Sequence, residues 1–445
     1  MPESKQKNIK RIYLDNAATT VMAKEVLEEM TPYFIEATAN PSALHFDGRQ
    51  AKNVLASVRQ KVAKIINAEP GELIFCGSGT ESDNLAILGL ARFYKLKGNH
   101  LISTNIEHHA VLHPLEHLKE KEAFEVLNLE VEKNGIINSG KILENIKPET
   151  ILISVMYANN EIGTIQPIKE IARLIKKWKG ENKRSAEAPP FFHTDACQAA
   201  GYLDLDVKKL GVDLMTLNGS KIYGPKGVGM LYLRRGLSLE PIVFGGGQEK
   251  GLRSGTENLA GIVGFAKALE LAQKNRKRET ARLATLQNYF FKQILKNVSK
   301  VFINGDLKNR LPNNINVSIL DIEGEAVLLY LDEAGISAST GSACDSSRLE
   351  PSHVILALGR PYEYAHGSLR FTMGKETSKK EIDYTVKVLE KVVEKLRKIS
   401  PLNIMPEREK LFCPSRIFVQ SGRPHWERNK KNKPVGKIRS PLFAS

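Results

Sequence analysis

The stretch LNGSKIYGPKGVG, residues 217–229, places two lysines, Lys221 and Lys226, between the apolar runs 213–217 and 228–233. A lysine held in a water-poor cleft loses its proton more readily and becomes a nucleophile toward a carbonyl carbon. Asp195 ends another apolar run, 191–195, where a carboxylate is costly unless it has a partner. Gly79 and Thr80 open a helical pattern, and the free N–H groups of a helix start favour an anion. Cys344 sits in STGSACDSS, residues 339–347. Those small polar residues suggest an exposed loop, and an exposed thiol asks for a reason, because the thiolate is a competent nucleophile.

A lysine for a Schiff base, an acid to keep a pyridine nitrogen protonated and donors for a phosphate are together what pyridoxal phosphate needs. Each residue alone has a plainer reading. Lys221 fits a surface turn, Asp195 a strand-end cap, Cys344 a small buried side chain and Arg370 a charge on an edge strand. Cys76 and Cys197 lie beside apolar runs and read as structural. His109, His113 and His117 are spaced four apart, which could suggest a metal-binding face. Pro114 is expected to start a helix there, so that the three would not share a face, and no metal site is expected. GPKGVG lacks the lysine-then-hydroxyl ending of a phosphate-binding P-loop.

The elements that must position these residues alternate. Strands are expected at 73–76, 101–104, 151–156, 191–195, 214–217 and 228–233, with helical patterns between them at 81–96 and 168–178. This is the βαβ signature of an α/β fold with a mostly parallel sheet covered on both faces. Ligands bind such sheets at the carboxyl ends of the strands. The clusters GSGTESDN, EHH, ANNE, DACQ and NGSK fall at those ends. A long helical stretch, 256–297, leads to a smaller α+β pattern. Its strands are expected at 315–320, 336–339 and 368–372, and its helices at 323–333, 352–358 and 378–399. Residues 180–190 read as a polar surface loop. No internal repeat is evident.

Composition narrows the class. Hydrophobic residues make up 42% and charged residues 26%, a soluble globular balance. No apolar run reaches the length of a membrane span, and the polar, lysine-rich N-terminus has no signal-peptide pattern. The four cysteines, Cys76, Cys197, Cys344 and Cys413, form no CxxC pair, which suits a reducing, cytoplasmic setting. The net charge is +15, but residues 401–445 carry ten Lys/Arg against three Asp/Glu. The body is therefore a weaker candidate for nucleic acid than the figure suggests. The proline-containing tail reads as a solvated extension or as a docking arm for an acidic protein or RNA.

Ten stretches in order make the chain recognisable: YLDNAATT (13–20), NPSALH (40–45), GSGTESDNLAI (77–87), IEHHAVL (106–112), NNEIGTIQPI (159–168), FHTDACQAAG (192–201), GSKIYGPKGVG (219–229), RSGTEN (253–258), STGSACDSSRLEPSHVILALG (339–359) and SLRFTMG (368–374). Together they resemble the cysteine desulfurases of the NifS/IscS class, which are fold-type I pyridoxal-phosphate enzymes of the class-V aminotransferase family. The resemblance implies a large domain, 21–258, with a mostly parallel seven-stranded sheet. It also implies a smaller α+β domain from 1–20 and 259–400 that carries the cysteine loop, followed by the tail 401–445.

Residue roles follow from the same resemblance. Lys221 would form the Schiff base and move the substrate α-proton. His108 would stack on the cofactor ring and take part in catalysis. Asp195 would pair with the ring nitrogen, and Gln198 with the phenolic oxygen. Gly79, Thr80 and Ser220 would bind the phosphate, with Thr256 reaching the phosphate of a neighbouring subunit in a homodimer. Asn40, Asn160 and Arg370 would hold the substrate, Asn160 touching the ring as well. Cys344 would take sulfur from L-cysteine as a persulfide, leave alanine, and hand the sulfur to an acceptor protein for iron–sulfur cluster assembly or tRNA thiolation. A transient iron–sulfur cluster contact at Cys344 is also implied. Where the family usually reads Ser-Gly-His-Lys, this chain has Asn218-Gly219-Ser220-Lys221. Rival expectations are a selenocysteine lyase or another β-eliminating enzyme, and a non-catalytic scaffold or RNA-binding protein on the same fold.

Overall fold

β-Branched and aromatic runs build the core of the molecule. The computed structural model describes residues 11–36, 38–341, 351–400 and 404; Cys344, Cys413 and the basic tail lie outside the described residues. After a short first strand, β1 (Ile12–Tyr13), seven strands form one sheet: β2 (Leu73–Cys76), β3 (His100–Thr104), β4 (Glu125–Leu129), β5 (Thr150–Ser154), β6 (Phe191–Asp195), β7 (Leu214–Asn218) and β8 (Gly229–Leu233). Their order is β2-β8-β7-β6-β5-β3-β4. β7, β6, β5, β3 and β4 are parallel, while β8 runs antiparallel to both β7 and β2. Only the link 219–228 joins β7 to β8, too short for the crossover a parallel return requires. The carboxyl ends of β2, β3, β5, β6 and β7 therefore meet on one edge.

Every residue of β3, β5 and β6 is buried, as a parallel sheet covered on both faces demands. β4 was not among the expected strands. It lies on the sheet edge with only Leu129 buried, so EVLNL shows no apolar run. Near β2, the helical segments Gly79–Asn84, Leu85–Gly89 and Leu90–Phe93 follow one another, the middle one a wide π-turn. With the helix His109–Lys121 they bury Leu85, Ile87, Leu90, Val111, Leu115 and Leu118 in one hydrophobic cluster. The helix Ile168–Glu181 contributes Ile171, Ile175 and Trp178 to a second, larger cluster.

A second sheet joins β9 (Val301–Ile303), β10 (Asn314–Ile319) and β12 (Ser368–Thr372) in antiparallel order β12-β10-β9, and β1 pairs in parallel with β11 (Ile336–Ser337). The helix Lys379–Ile399 starts from a capping box in which Ser378 and Glu381 satisfy each other's backbone N–H groups. The helix Leu259–Asn297, 39 residues long, serves both sheets. Phe265 meets the ring of Phe75 on β2 at 6.4 Å, and Phe290 meets Phe371 on β12 at 5.4 Å. All described residues fall in one compact unit.

The expected start of a helix at Pro114 is corrected. The helix begins at His109, and Pro114 lies inside it. Proline removes the N–H that would bond the Ala110 carbonyl, and Asn84 Nδ2 donates to that carbonyl at 3.5 Å instead. His109 and His113 do share a face, with rings stacked at 4.8 Å, and His353 stacks on His109 from the other side at 5.0 Å. Among the described residues no His/Cys/Asp/Glu group is arranged to hold a metal.

Candidate active site

Lys221 follows the end of β7, and its Nζ donates to Ala18 O at 2.5 Å. Residues 17–20 run across this edge of the sheet and tie its loops together. Gln198 Nε2 donates to Ala17 O at 3.0 Å. Ser220 O accepts from Thr20 N at 2.8 Å and from Thr20 Oγ1 at 2.9 Å, and Tyr223 N donates to Thr20 Oγ1 at 2.7 Å. Residue types alone assigned 17–20 no role. Alanine and threonine contribute here through main-chain groups and one hydroxyl, which carry no visible chemistry in a sequence.

Asp195 ends β6, buried, and its Oδ1 accepts from Cys197 N at 2.8 Å. Beneath it lies a row of buried polar groups that the sequence reading missed. His193 meets Ser154 Oγ at 2.9 Å through Nδ1 and Thr216 Oγ1 at 3.1 Å through Nε2. Burial pushes its pKa down to about 4, so the ring is neutral. Asp83 Oδ1 lies 3.6 Å from His193 Nε2. Burial, with the charge of Asp195 adding to it, pushes the Asp83 carboxyl well up. Burial raises Glu107 to about 8 against its hydrogen bonds from Met156 N and Thr104 Oγ1. Protons kept on Asp83 and Glu107 relieve the repulsion that charged carboxylates would exert in one dry layer.

His108 caps the helix His109–Lys121, its Nδ1 accepting from Ala110 N at 3.1 Å. That bond leaves the neutral ring's proton on Nε2. Burial lowers its pKa first; the charge of Asp195 opposes the shift and that of Lys221 adds to it. A neutral imidazole thus stands within the field of both groups.

On the anion side, Ser78 Oγ accepts from Glu81 N at 3.0 Å, and Gly79 begins the helix. A Cβ on Gly79 would lie 2.9 Å from Cys197 Sγ and 3.0 Å from Asn218 Nδ2, so only glycine lets the helix start approach the ends of β6 and β7. Thr80 beside it is exposed. Asn218 Oδ1 is buried without a hydrogen-bond partner among the described residues.

Arg370, on β12, is buried. Its guanidinium donates to Asn160 O at 3.1 Å and to Asp15 Oδ1 at 3.0 Å, while Nε has no partner among the described residues. Asn40 and Thr256 are exposed and line a separate surface cleft with Tyr33 and Phe34. Asn40 Oδ1 accepts from Ser42 N at 2.9 Å. Among the described residues no hydrogen bond joins either residue to the Lys221 group. Cys76 and Cys197 are buried, and burial pushes both thiols up, Cys76 to about 12.

This donor set fits a phosphorylated pyridine aldehyde: an amine, a buried carboxylate, a neutral ring, a helix start on glycine and orphaned polar atoms on Asn218 and Arg370. The sequence profile described as Aminotransferase class-V matches residues 12–385. The chain belongs to the class-V aminotransferase family. Within the family, "Cysteine desulfurase IscS" of Dictyoglomus turgidum is 47% identical to it over 392 residues, covering 88% of this chain and 97% of the relative. "Cysteine desulfurase IscS" of Methanosarcina thermophila is 46% identical over 393 residues, covering 88% and 94%. A solved "NIFS-LIKE PROTEIN" superposes with a TM-score of 0.79 at 34% identity, covering 86% of this chain and 99% of that one. The fold is thus that of a class-V pyridoxal-phosphate enzyme, and the cofactor is pyridoxal 5′-phosphate.

Proposed function

We infer that the chain is a cysteine desulfurase, which converts L-cysteine to L-alanine and passes the sulfur to Cys344 and then to an acceptor. The observation that carries this reading is the gathering of Lys221, Asp195, His108, Gln198 and Gly79 at the carboxyl edge of one sheet, in a chain that shares 47% identity over 392 residues with a named cysteine desulfurase. Pyridoxal phosphate, when bound, supplies an electron sink for the substrate's α-carbon. Lys221 would hold it and then carry the α-proton. Asp195 would sustain the charge on its ring nitrogen, His108 would cover its face, and Gln198 would bond its phenolic oxygen. Gly79, Thr80 and Ser220 would cradle its phosphate. Arg370, with Asn160 and Asn40, would grip the substrate carboxylate, for which a planar guanidinium is suited.

The Cys344 thiolate attacks the sulfur of bound cysteine. The Cβ–S bond breaks, its electron pair stays with carbon, and carbon takes up a proton to give alanine. The sulfur remains on Cys344 as a persulfide. An acceptor protein serving iron–sulfur cluster assembly or tRNA thiolation would then collect it, with Cys344 in transient contact with the growing cluster.

A homodimer is part of this proposal. Phe34 lines the cleft that holds Asn40 and Thr256, Leu44 and Phe46 line a second cleft that shares Pro41 with it, and Phe244 follows Val243, which bridges to Arg253; Leu44 is 90% and Phe244 82% exposed. Apolar patches of this kind mark interaction surfaces, and a second copy there would let Thr256 reach the neighbour's phosphate. The division into 21–258, 1–20 with 259–400, and the tail 401–445 is proposed as well, supported by the separation of the seven-stranded sheet from the three-stranded sheet and the β1–β11 pair. Among the described residues no helix is long and apolar enough to cross a membrane; a cytoplasmic setting is proposed from the cysteine usage.

The test is direct. Purified protein with pyridoxal phosphate and L-cysteine should yield alanine and sulfide, with one extra sulfur on the Cys344 peptide by mass spectrometry. Lys221→Ala should lose the yellow colour, and Cys344→Ser should release no sulfide. Sulfide release by Cys344→Ser at the wild-type rate would overturn the thiol assignment. Activity confined to selenocysteine would turn the reading toward a lyase.

A further inference from the structure

Glu161 follows Asn160 in the loop after β5 and has no role in the account so far. Its side chain is buried. Oε2 accepts from Ser352 Oγ at 2.5 Å. On its other side stands Gly341, where a Cβ would lie 2.2 Å from the same Oε2. The carboxyl group therefore seats on bare backbone at 341 and on a hydroxyl at 352. Those two residues bracket 342–351, the stretch of sequence that contains Cys344. One side chain touches both ends of the thiol-bearing segment.

Its own backbone is held firmly. Asn159 Oδ1 accepts from Glu161 N at 2.8 Å, and Glu161 O accepts from Asn314 Nδ2 at 2.9 Å and Asn316 Nδ2 at 3.1 Å. Asn316 lies opposite Arg370 in the β10–β12 register. Arg370 in turn exchanges both backbone hydrogen bonds with Ser339, two residues before Gly341. Burial raises the Glu161 pKa to about 7, while the Ser352 hydrogen bond and the charge of Arg370 oppose the rise. Arg370, itself paired with Asp15, is the charged group that faces it. The guanidinium bonds Asn160 and Asp15 rather than Glu161, so removing the Glu161 carboxyl leaves the grip on a substrate carboxylate in place.

We propose that Glu161 is a positioning residue that ties Gly341 to Ser352, the described residues on either side of the Cys344 stretch, and so governs sulfur transfer rather than substrate binding. The proposal rests on Cys344 as the sulfur-accepting thiol. A nucleophile displaced by about 1 Å loses roughly a hundredfold in rate even when binding is intact, which sets the scale of the expected effect.

The experiment compares holoenzyme variants by the visible cofactor band, KM for L-cysteine and kcat for sulfide release. Glu161→Ala should lower kcat by about 30- to 100-fold, with KM within about threefold and the band unchanged. Glu161→Gln, which keeps an acceptor for Ser352, should recover most of the loss. Gly341→Ala, whose new methyl displaces the carboxyl group, should reproduce the alanine variant. Should Glu161→Ala fail to fold, Ser352→Ala removes this tie together with the cap on Ile355 N and should lower kcat alone, by a smaller factor. An unchanged kcat, a loss shared equally by KM and the band, or a glutamine variant no better than alanine overturns the proposal. Cys344→Ser separates the two readings. If it releases sulfide, the thiol assignment has failed. If it is inactive while Glu161→Ala keeps full kcat, only the pinning role has failed.

Discussion

Carboxyl groups in the dry layer under the sheet edge carry a signature that can be measured. Glu107 titrates near 8 rather than its usual 4.5. Between those values the folded state binds more protons than the unfolded chain, so stability from this group is complete below the unfolded value and drains away as pH rises through 8. Glu107→Gln cannot titrate. Its melting temperature minus that of the wild type should therefore climb as pH rises from about 5 to about 8.5. Thermal unfolding followed by circular dichroism across that range would show it, and a flat difference would refute the neutral carboxyl. His193, lowered to about 4, acts in the opposite direction, losing stability as pH falls below its unfolded value, but it cancels in the difference between two proteins that share it.

Asp195 was conspicuous at this scale because it closes an apolar run, and Lys221 because it stands between two, while the role of each came from the resemblance. Glu107 and Asp83 were not, since their meaning depends on partners tens of residues away, Met156 for one and His193 for the other. Glu161 was visible only as a letter inside a familiar motif.

The elements follow from a few local rules. The ten residues between β7 and β8 force an antiparallel return, and the same link presents Lys221. β8 then passes close to the turn before the phosphate-side helix. A Cβ on Gly229 would lie 2.3 Å from Ser78 O and 3.0 Å from Gly79 N. Gly229→Ala should push that helix start aside and weaken pyridoxal phosphate binding by at least about tenfold, a loss of about 1.4 kcal/mol. Titrating the apoprotein and following the visible band would measure it; wild-type affinity would show that the turn has room to yield. Six strands of the large sheet were readable because burial gives each an apolar run, whereas β4 at the edge was not. The histidine face on His109–Lys121 was misread because an internal proline looked like a helix start. The Ala110 carbonyl that the proline leaves unbonded receives Asn84 Nδ2, a compensation no local pattern reveals.

For the whole molecule, the exposed Phe34, Leu44, Phe46 and Phe244 argue that one chain is half of the working particle. Phe34→Glu combined with Phe244→Glu should give a monomer by light scattering, and cofactor affinity should fall with it, since Thr256 could no longer reach a neighbour. A dimer that persists, or a monomer that binds the cofactor as tightly as before, would contradict this. The α/β class was readable from alternating patterns, but this surface was not, because its apolar residues are scattered through 27–46 and 243–244.

The helix Leu259–Asn297 has a consequence of its own. At 1.5 Å per residue it extends about 58 Å. About four turns in, Gln273 donates to Ala200 O and Leu203 O, and farther along Gln287 donates to Leu311 O and Asn314 O. Leucine, alanine and phenylalanine side chains up to Leu269 are buried before the first anchorage, and between the two anchorages Leu283 is. With Thr280 donating to Tyr202 O and Arg282 to Gly374 O and Thr377 O between them, this one helix couples the β9–β10–β12 sheet to the loop around Ala200, two residues from Gln198, so a tilt of the small sheet would be felt beside the cofactor.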